Sequence, residues 1–242
     1  MTTQTENATD STTSSFSTLI AIFSEPSKAF DAVARSSMLL LPLLSIIGCS
    51  VFLIVWYYQS VDMAWLQDKL TVAMTDPAAR EAAKGFMKRS TMMSISAVSI
   101  LVVVPLMFSV SALYYVIIAK IKKLEFGFGK WFAFVAWASV PTLLSLPLGA
   151  MQILLANHGQ LEPGQLNPVS LNSLVLHIGT GLRWASLADS ISLITVWTVV
   201  LSVIGFQQWS KSSRAASIVI VLIPYVVIYG IWAVISLMSK AA

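Results

Sequence analysis

Five apolar runs, each of about 20 residues or more, constrain this chain more than any other feature. They cover residues 38–58, 92–119, 131–156, 187–209 and 216–238. A helix needs about 20 residues to cross the roughly 30 Å hydrocarbon core of a bilayer. Backbone N–H and C=O groups find no water inside lipid, so each run must satisfy them within a helix. The runs therefore predict an all-α fold, a polytopic transmembrane helical bundle with five spans.

The composition agrees with five spans and leaves little chain for anything else. Hydrophobic residues make up 57% of the 242 residues and charged residues only 11%, whereas a soluble domain has about 25% charged residues. We therefore expect one membrane domain, residues 16–242, without a soluble catalytic unit. The excess of 15 Lys and Arg over 11 Asp and Glu is typical of positively charged loops and does not indicate nucleic-acid binding.

The basic residues between the runs predict the orientation of the chain. Four lysines lie in the link 120–130, and Lys211 and Arg214 lie in the link before the last run. The loop 157–186 contains only one basic residue. Because basic loops tend to stay in the cytoplasm, the N-terminus is predicted to be cytoplasmic and the C-terminus to lie outside. The loop 59–91, with five basic residues, argues against this orientation.

The N-terminal region divides into a polar tail and two short interfacial helices. Residues 1–15 are rich in Ser and Thr and cannot bury enough apolar surface to fold, so we predict a disordered tail. Over residues 16–23, Phe, Leu, Ile and Phe recur at helical spacing, which is the pattern of a helix lying in the membrane interface. Ser24 is a suitable N-cap for the second helix, with Pro26 in its first turn.

No combination of residues indicates a reaction, a cofactor or a metal. His158 and His177 are the only histidines, and with Glu162 they lack the spacing of an HExxH motif. The GxSxG motif of serine hydrolases and a phosphate-binding Walker loop are absent from the sequence. The single cysteine, Cys49, excludes an internal disulfide. We therefore assign no catalytic, cofactor-binding or metal-binding residue and predict that the protein is not an enzyme.

Asp189 is the one Asp, Glu, Lys or Arg inside an apolar run and the sharpest candidate for a functional residue. At the start of run 187–209, its carboxylate can cap backbone N–H groups and complement the helix dipole. An ionisable group inside a span can instead carry an ion or a proton. Small residues downstream repeat at helical spacing and would let a neighbouring helix approach closely: Ser192, Thr195, Ser202 and Gly205. A polar translocation path is the alternative interpretation of the same residues.

Three segments, taken in their order along the chain, resemble a known family of membrane proteins. Their positions of interest are Pro26 and Phe30 in IFSEPSKAFDAV, Pro141 at the end of FGFGKWFAFVAWASVP, and Asp189, Trp197 and Gly205 before the last run. Over residues 16–238 the chain resembles the bacterial branch of the Yip family. That family takes its name from eukaryotic relatives that bind Ypt/Rab GTPases.

The resemblance implies a five-span protein of the bacterial inner membrane with a cytoplasmic N-terminus and a periplasmic C-terminus. The sequence has no DLYGP motif, so GTPase binding is not carried over from the eukaryotic members. We interpret the chain as a non-enzymatic integral membrane protein, surrounded by membrane lipid. It would act in membrane organisation or as a partner of other membrane proteins, including a second copy of itself. The alternative is a small transporter or channel-like protein with Asp189 in a polar path.

Overall fold

The computed structural model of the protein describes residues 9–36, 39–179, 182 and 184–238, with side chains from residue 16 onward. Over these residues the chain forms 11 α-helices and no strand, which confirms the predicted all-α fold. The helices are α1 (Thr9–Ser24), α2 (Pro26–Arg35), α3 (Leu40–Ser60), α4 (Met63–Leu70), α5 (Pro77–Phe86), α6 (Arg89–Ile121), α7 (Phe128–Ala138), α8 (Ser145–Leu155), α9 (Ala185–Ser190), α10 (Leu193–Ser210) and α11 (Arg214–Met238).

Five helical segments are long and apolar enough to cross a membrane, as the sequence predicted. They are α3, α6, the segment Phe128–Leu155 that contains α7 and α8, α10 and α11. The first residue of the predicted span 38–58, Met38, lies outside the described residues, and α3 begins at Leu40. The fourth span helix begins at Leu193 rather than at residue 187, and this difference matters for Asp189.

The third span is divided by a short turn of 3₁₀-helix. α7 ends at Ala138, the 3₁₀ turn covers Val140–Leu144, and α8 starts at Ser145. Pro141 lies in this turn. Because proline has no N–H to donate to the carbonyl four residues earlier, an α-helix cannot continue undisturbed through this position.

The two N-terminal helices differ from their predicted boundaries. α1 begins at Thr9, so the helix overlaps the second half of the predicted disordered tail, while residues 1–8 lie outside the described residues. Ser24 does not cap α2, because it is the last residue of α1 and its hydroxyl donates to the Ile20 carbonyl. Glu25 occupies the N-cap position without a side-chain cap, and Pro26 is at the start of α2 as predicted.

The chain divides into two compact units. The N-terminal unit comprises Met1–Ile46, Pro105–Val140 and Thr198–Ile223, and the loop unit comprises Ile47–Val104, Pro141–Trp197 and Pro224–Ala242. The N-terminal unit has a core of aromatic side chains, described below. In the loop unit, Tyr57 is buried at the end of α3 and its hydroxyl donates to the Leu161 carbonyl at 2.9 Å.

Candidate functional site

Seven aromatic side chains form the core of the N-terminal unit, and we call them the aromatic cluster. They are Phe30, Tyr115, Phe126, Trp131, Phe134, Phe206 and Trp209. The rings of Tyr115 and Trp131 stack at 5.3 Å with an interplanar angle of 16°, and Trp131 and Trp209 lie 5.2 Å apart. Aromatic pairs at such distances contribute about 0.5–1.5 kcal/mol each beyond the area they bury. The cluster therefore joins helices α2, α6, α7 and α10.

Gly205 lets α10 approach this cluster closely. A Cβ atom at Gly205 would lie 2.7 Å from a ring atom of Phe134 and 2.8 Å from ring atoms of Phe30. Real Cβ atoms do not come this close to other heavy atoms, so only glycine fits without moving the rings. Of the six positions that the sequence analysis singled out, the structure brings Phe30 and Gly205 into contact. Pro26 starts the helix that carries Phe30.

Polar contacts fix α2 against the spans in addition to the aromatic rings. The indole Nε1 of Trp209 donates to the Phe30 carbonyl at 2.9 Å. The Gln208 amide donates to both carboxylate oxygens of Asp31, at 2.8 and 2.9 Å. Lys130 Nζ donates to the Ala34 carbonyl at 2.7 Å, where its positive charge also complements the C-terminal end of the α2 dipole. Sequence reasoning missed Gln208, Asp31 and Lys130, because nothing local in the sequence links residues so far apart.

The outer surface of α1 carries an exposed apolar stripe. Phe16 and Ile20 keep 62% and 59% of their area exposed, and Phe23 keeps 40%, whereas Ile22 is fully buried. In α2 the buried residues are Ala29, Phe30 and Val33. The α1–α2 helix pair is therefore held to the N-terminal unit on one side and presents large apolar side chains on the other.

Asp189 lies in the last turn of the short helix α9, not in the first turn of the fourth span. This corrects the sequence-based placement. Ile191 is extended, and its carbonyl accepts a hydrogen bond from Leu171 N–H at 2.7 Å, which ends α9 before the span begins. The first turn of the span is capped instead by Ser192, whose hydroxyl oxygen accepts from Thr195 N–H at 3.2 Å.

Asp189 contributes to a polar cavity of about 420 Å³ in the loop unit. Glu162, Gly164 and His177 are among the other residues that line it. A Cβ atom at Gly164 would lie 2.4 Å from an Asp189 carboxylate oxygen, so a larger residue here would require the Asp189 side chain to move. Among the residues that the structure describes, no three His, Cys, Asp or Glu side chains are arranged to hold a metal ion. Sequence reasoning did not single out Gly164, which has no motif around it.

Trp197 and Pro141, the remaining two positions, also belong to the loop unit. Trp197 lies on α10 with 39% of its area exposed, and Pro141 lies in the 3₁₀ turn of the third span. Neither joins the aromatic cluster or lines the cavity around Asp189. Pro26, Phe30 and Gly205 thus belong to the N-terminal unit, and Pro141, Asp189 and Trp197 belong to the loop unit.

Five helical segments that are long and apolar enough to cross a membrane, preceded by a pair of shorter helices, define a polytopic helical membrane protein. The family model of the Yip1 domain matches residues 20–235. The chain belongs to this family, which confirms the resemblance found in its sequence. No curated protein and no solved structure matches the chain significantly.

Proposed function

We propose that the protein is a non-enzymatic membrane-organising protein of a bacterial inner membrane. Its α1–α2 helix pair would lie in the headgroup layer of the cytoplasmic leaflet and recruit or space other membrane components. The observation that carries this proposal is the exposed stripe of Phe16, Ile20 and Phe23 on a helix pair fixed by the aromatic cluster. Burying each such side chain contributes about 1.5–3 kcal/mol, and interfacial helices insert their apolar face in this way.

The long spans supply the surface for lipid and for partner proteins. In the most apolar stretches of α6 and α11, only 11% and 6% of the residues are buried within the chain. Such faces are covered in a membrane by lipid, by another protein or by a second copy of the chain. The proposed role in membrane organisation therefore needs only these exposed apolar faces and no catalytic residues.

A depth measurement tests the placement of the helix pair. Spin labels at Ile20→Cys and Lys28→Cys, in a Cys49→Ala background, are compared in reconstituted vesicles. The label at residue 20 should collide with oxygen dissolved in lipid. The label at Lys28, whose side chain is 77% exposed, should collide with a water-soluble nickel chelate. Two labels that are equally accessible to nickel would contradict an interfacial α1.

A second experiment tests whether the stripe organises membrane partners. Proteins cross-linked to the full chain in membranes are compared between wild type and the triple variant Phe16→Ser, Ile20→Ser and Phe23→Ser. The proposal predicts that the variant inserts and folds but loses most of its cross-linked neighbours. The matched control removes the exposed ion pair of the same helix pair, Glu25→Gln with Lys28→Gln, and should keep them. An unchanged set of neighbours in the triple variant would refute the proposed role.

Cysteine labelling tests the orientation. In the Cys49→Ala background, a Gly127→Cys variant should be protected from a membrane-impermeant reagent added outside, and Gln165→Cys should be labelled. The two links that carry this prediction, 120–130 and 157–186, differ in their content of basic residues. The reverse labelling pattern would place the N-terminus outside.

A small transporter is the second candidate, and the polar cavity around Asp189 is the observation in its favour. Coupled transport needs a titratable group, so Asp189→Asn should abolish flux without unfolding the protein. Proton and cation flux in proteoliposomes distinguishes the two functions. We expect no protein-dependent flux in the wild type. If the wild type shows flux, and Asp189→Asn abolishes it at unchanged thermal stability, the function is transport and not membrane organisation.

A further inference from the structure

The N-terminal unit contains a second, larger cavity whose lining changes from apolar to basic along its length. It has a volume of about 800 Å³ and lies between α10 and the first half of α11. Val199, Val203, Ile204 and Leu222 form part of its apolar wall, and Lys211 and Arg214 lie at its polar end. Cavities of about 300–1,000 Å³ are typical of sites that hold one organic ligand.

The α10 wall of this cavity is held in place from behind. The opposite face of α10 carries Leu201, Gly205 and Phe206, which are buried, and Gly205 and Phe206 pack in the aromatic cluster. α11 is tied to α6, since the Tyr114 hydroxyl donates to the Ile220 carbonyl at 2.6 Å. The cavity is therefore formed by the packed helices themselves and does not depend on a loop.

The two cations at the polar end are available to a ligand. Lys211 and Arg214 are exposed, and neither forms an ion pair with any residue in the described part of the chain. The Asp31 carboxylate accepts both of its hydrogen bonds from the amide of Gln208, a residue that lines the cavity. The short link between α10 and α11 brings both cations to the same end of the cavity, which therefore favours an anionic group.

The length of the apolar wall matches one leaflet of a bilayer. From Val199 to the end of α10 at Ser210, just before Lys211, the helix advances about 16 Å at 1.5 Å per residue. Half of the hydrocarbon core of a bilayer is about 15 Å thick. A ligand with its charge at Lys211 and Arg214 would thus place a chain of about one leaflet's depth along this wall. A free phosphate or an acidic peptide would leave the apolar wall unused.

We propose that this cavity binds one anionic phospholipid, with its phosphate at Lys211 and Arg214 and an acyl chain along α10. Basic pockets between spans are known to bind anionic head groups, and guanidinium and ammonium groups form strong hydrogen bonds to phosphate. A zwitterionic lipid fits less well, because its own cation would lie near two positive side chains. The proposal depends only on the cavity, so its test is independent of the proposed role of the α1–α2 helix pair.

Electron paramagnetic resonance on the full-length protein tests the proposal. The protein is reconstituted in vesicles of phosphatidylcholine that contain a trace of phosphatidylglycerol spin-labelled on its acyl chain. The relative association constant of the labelled lipid is compared with that of labelled phosphatidylcholine. Each basic residue near the head group is expected to contribute about fivefold. Wild type should therefore prefer phosphatidylglycerol, and Lys211→Gln with Arg214→Gln should lower that preference by roughly 25-fold at most.

The matched control removes two lysines from the other basic link of the same unit, Lys122→Gln with Lys123→Gln. Both are exposed and neither lines the cavity. Because the host bilayer is neutral, this control should change the preference less than about twofold. An equal loss in the control would show a general effect of surface charge and would overturn a specific site. No preference in the wild type would overturn the proposal outright.

A third variant tests the acyl chain separately from the charge. Val203→Trp fills the apolar wall and keeps both cations, and it should also lower the preference for labelled phosphatidylglycerol. Inorganic phosphate at millimolar concentration should compete only weakly. If Val203→Trp keeps the full preference, or if phosphate displaces the lipid, the site binds a free anion and the lipid proposal is wrong. Circular dichroism and thermal unfolding of each variant confirm that a loss of binding is not a loss of fold.

Discussion

The third span is less apolar than the fifth span, yet it is far more buried within the chain. In the most apolar stretch of the third span 56% of the residues are buried within the chain, against 6% in the fifth, although the fifth has the higher mean hydropathy. The third span begins with FGKWFAFVAWA, whereas Val, Ile and Leu dominate the fifth. Lipid is as apolar as Leu, so aliphatic side chains gain little by leaving it. In this membrane protein, small and aromatic residues, which pack closely, mark the core better than hydropathy does.

The largest expected effect distinguishes a buried aromatic side chain of the third span from an exposed aliphatic one of the fifth. Trp131 is fully buried, and its indole N–H bonds to no residue that the structure describes, so Trp131→Ala removes packing alone. We expect a loss of about 3–5 kcal/mol in the free energy of unfolding. Ile231 is 57% exposed, and Ile231→Ala should stay within about 0.5 kcal/mol. Unfolding in mild detergent measures both, and equal losses would contradict the comparison.

Two glycine substitutions should change stability in opposite directions. Gly205→Ala places a methyl group within 2.8 Å of the rings of Phe30 and Phe134 and should cost about 1–3 kcal/mol by overpacking. Gly230 of the fifth span has no atom within 4 Å of an added Cβ. Gly230→Ala should therefore stabilise the helix by up to about 1 kcal/mol. Thermal midpoints in the same detergent provide the measurement, and a stabilising Gly205→Ala would show that the cluster is loosely packed.

Loss of a hydrogen bond should also cost more stability in the aromatic cluster than at the fifth span, but the difference should be smaller. Trp209→Phe removes the indole donor to the Phe30 carbonyl and should cost about 0.5–1.5 kcal/mol, because that carbonyl lies inside α2 and keeps its backbone partner. Tyr114→Phe removes a bond from a half-buried hydroxyl to the fifth span, and bonds between membrane helices average about 0.6 kcal/mol. Protease sensitivity of the α1–α2 helix pair gives a second readout. The Trp209 variant should be cleaved there faster than the Tyr114 variant, and the opposite order would refute the role of the Trp209–Phe30 hydrogen bond in holding α2.

The smallest expected effect lies outside the spans, in the contact between α4 and α5. The hydrogen bond and charge of Lys84, at 2.6 Å, lower the pKa of the Asp68 carboxyl below its usual value. This contribution to stability is complete above the usual pKa of Asp and is lost as the pH falls through the lowered pKa. Wild type and Asp68→Asn should therefore differ slightly near neutral pH and converge in acid. A pH-independent difference in their thermal midpoints would exclude the ion pair as its cause.

Helix starts and loop contacts mark the limit of what this sequence predicts. The start of α2 at Pro26 was readable, because proline favours the first turn of a helix and this preference is local. The start of the fourth span was not readable, because Leu193 N–H pairs with the Val169 carbonyl and Leu171 N–H with Ile191. These contacts join residues about 20 positions apart and override the apolar pattern of residues 187–192. Asp189 was therefore placed one helix too far along the chain.

The family could be recognised from the order of short motifs along the chain. The number of spans and their helical character also follow from the sequence, because each apolar run must satisfy its own backbone inside lipid. That requirement is local and can be read one run at a time. The tertiary structure alone decided which faces are buried, why Gly205 must be glycine and where two cations meet an apolar wall. Each of these depends on side chains from different runs, such as Phe30 and Trp209, meeting at distances that only packing sets.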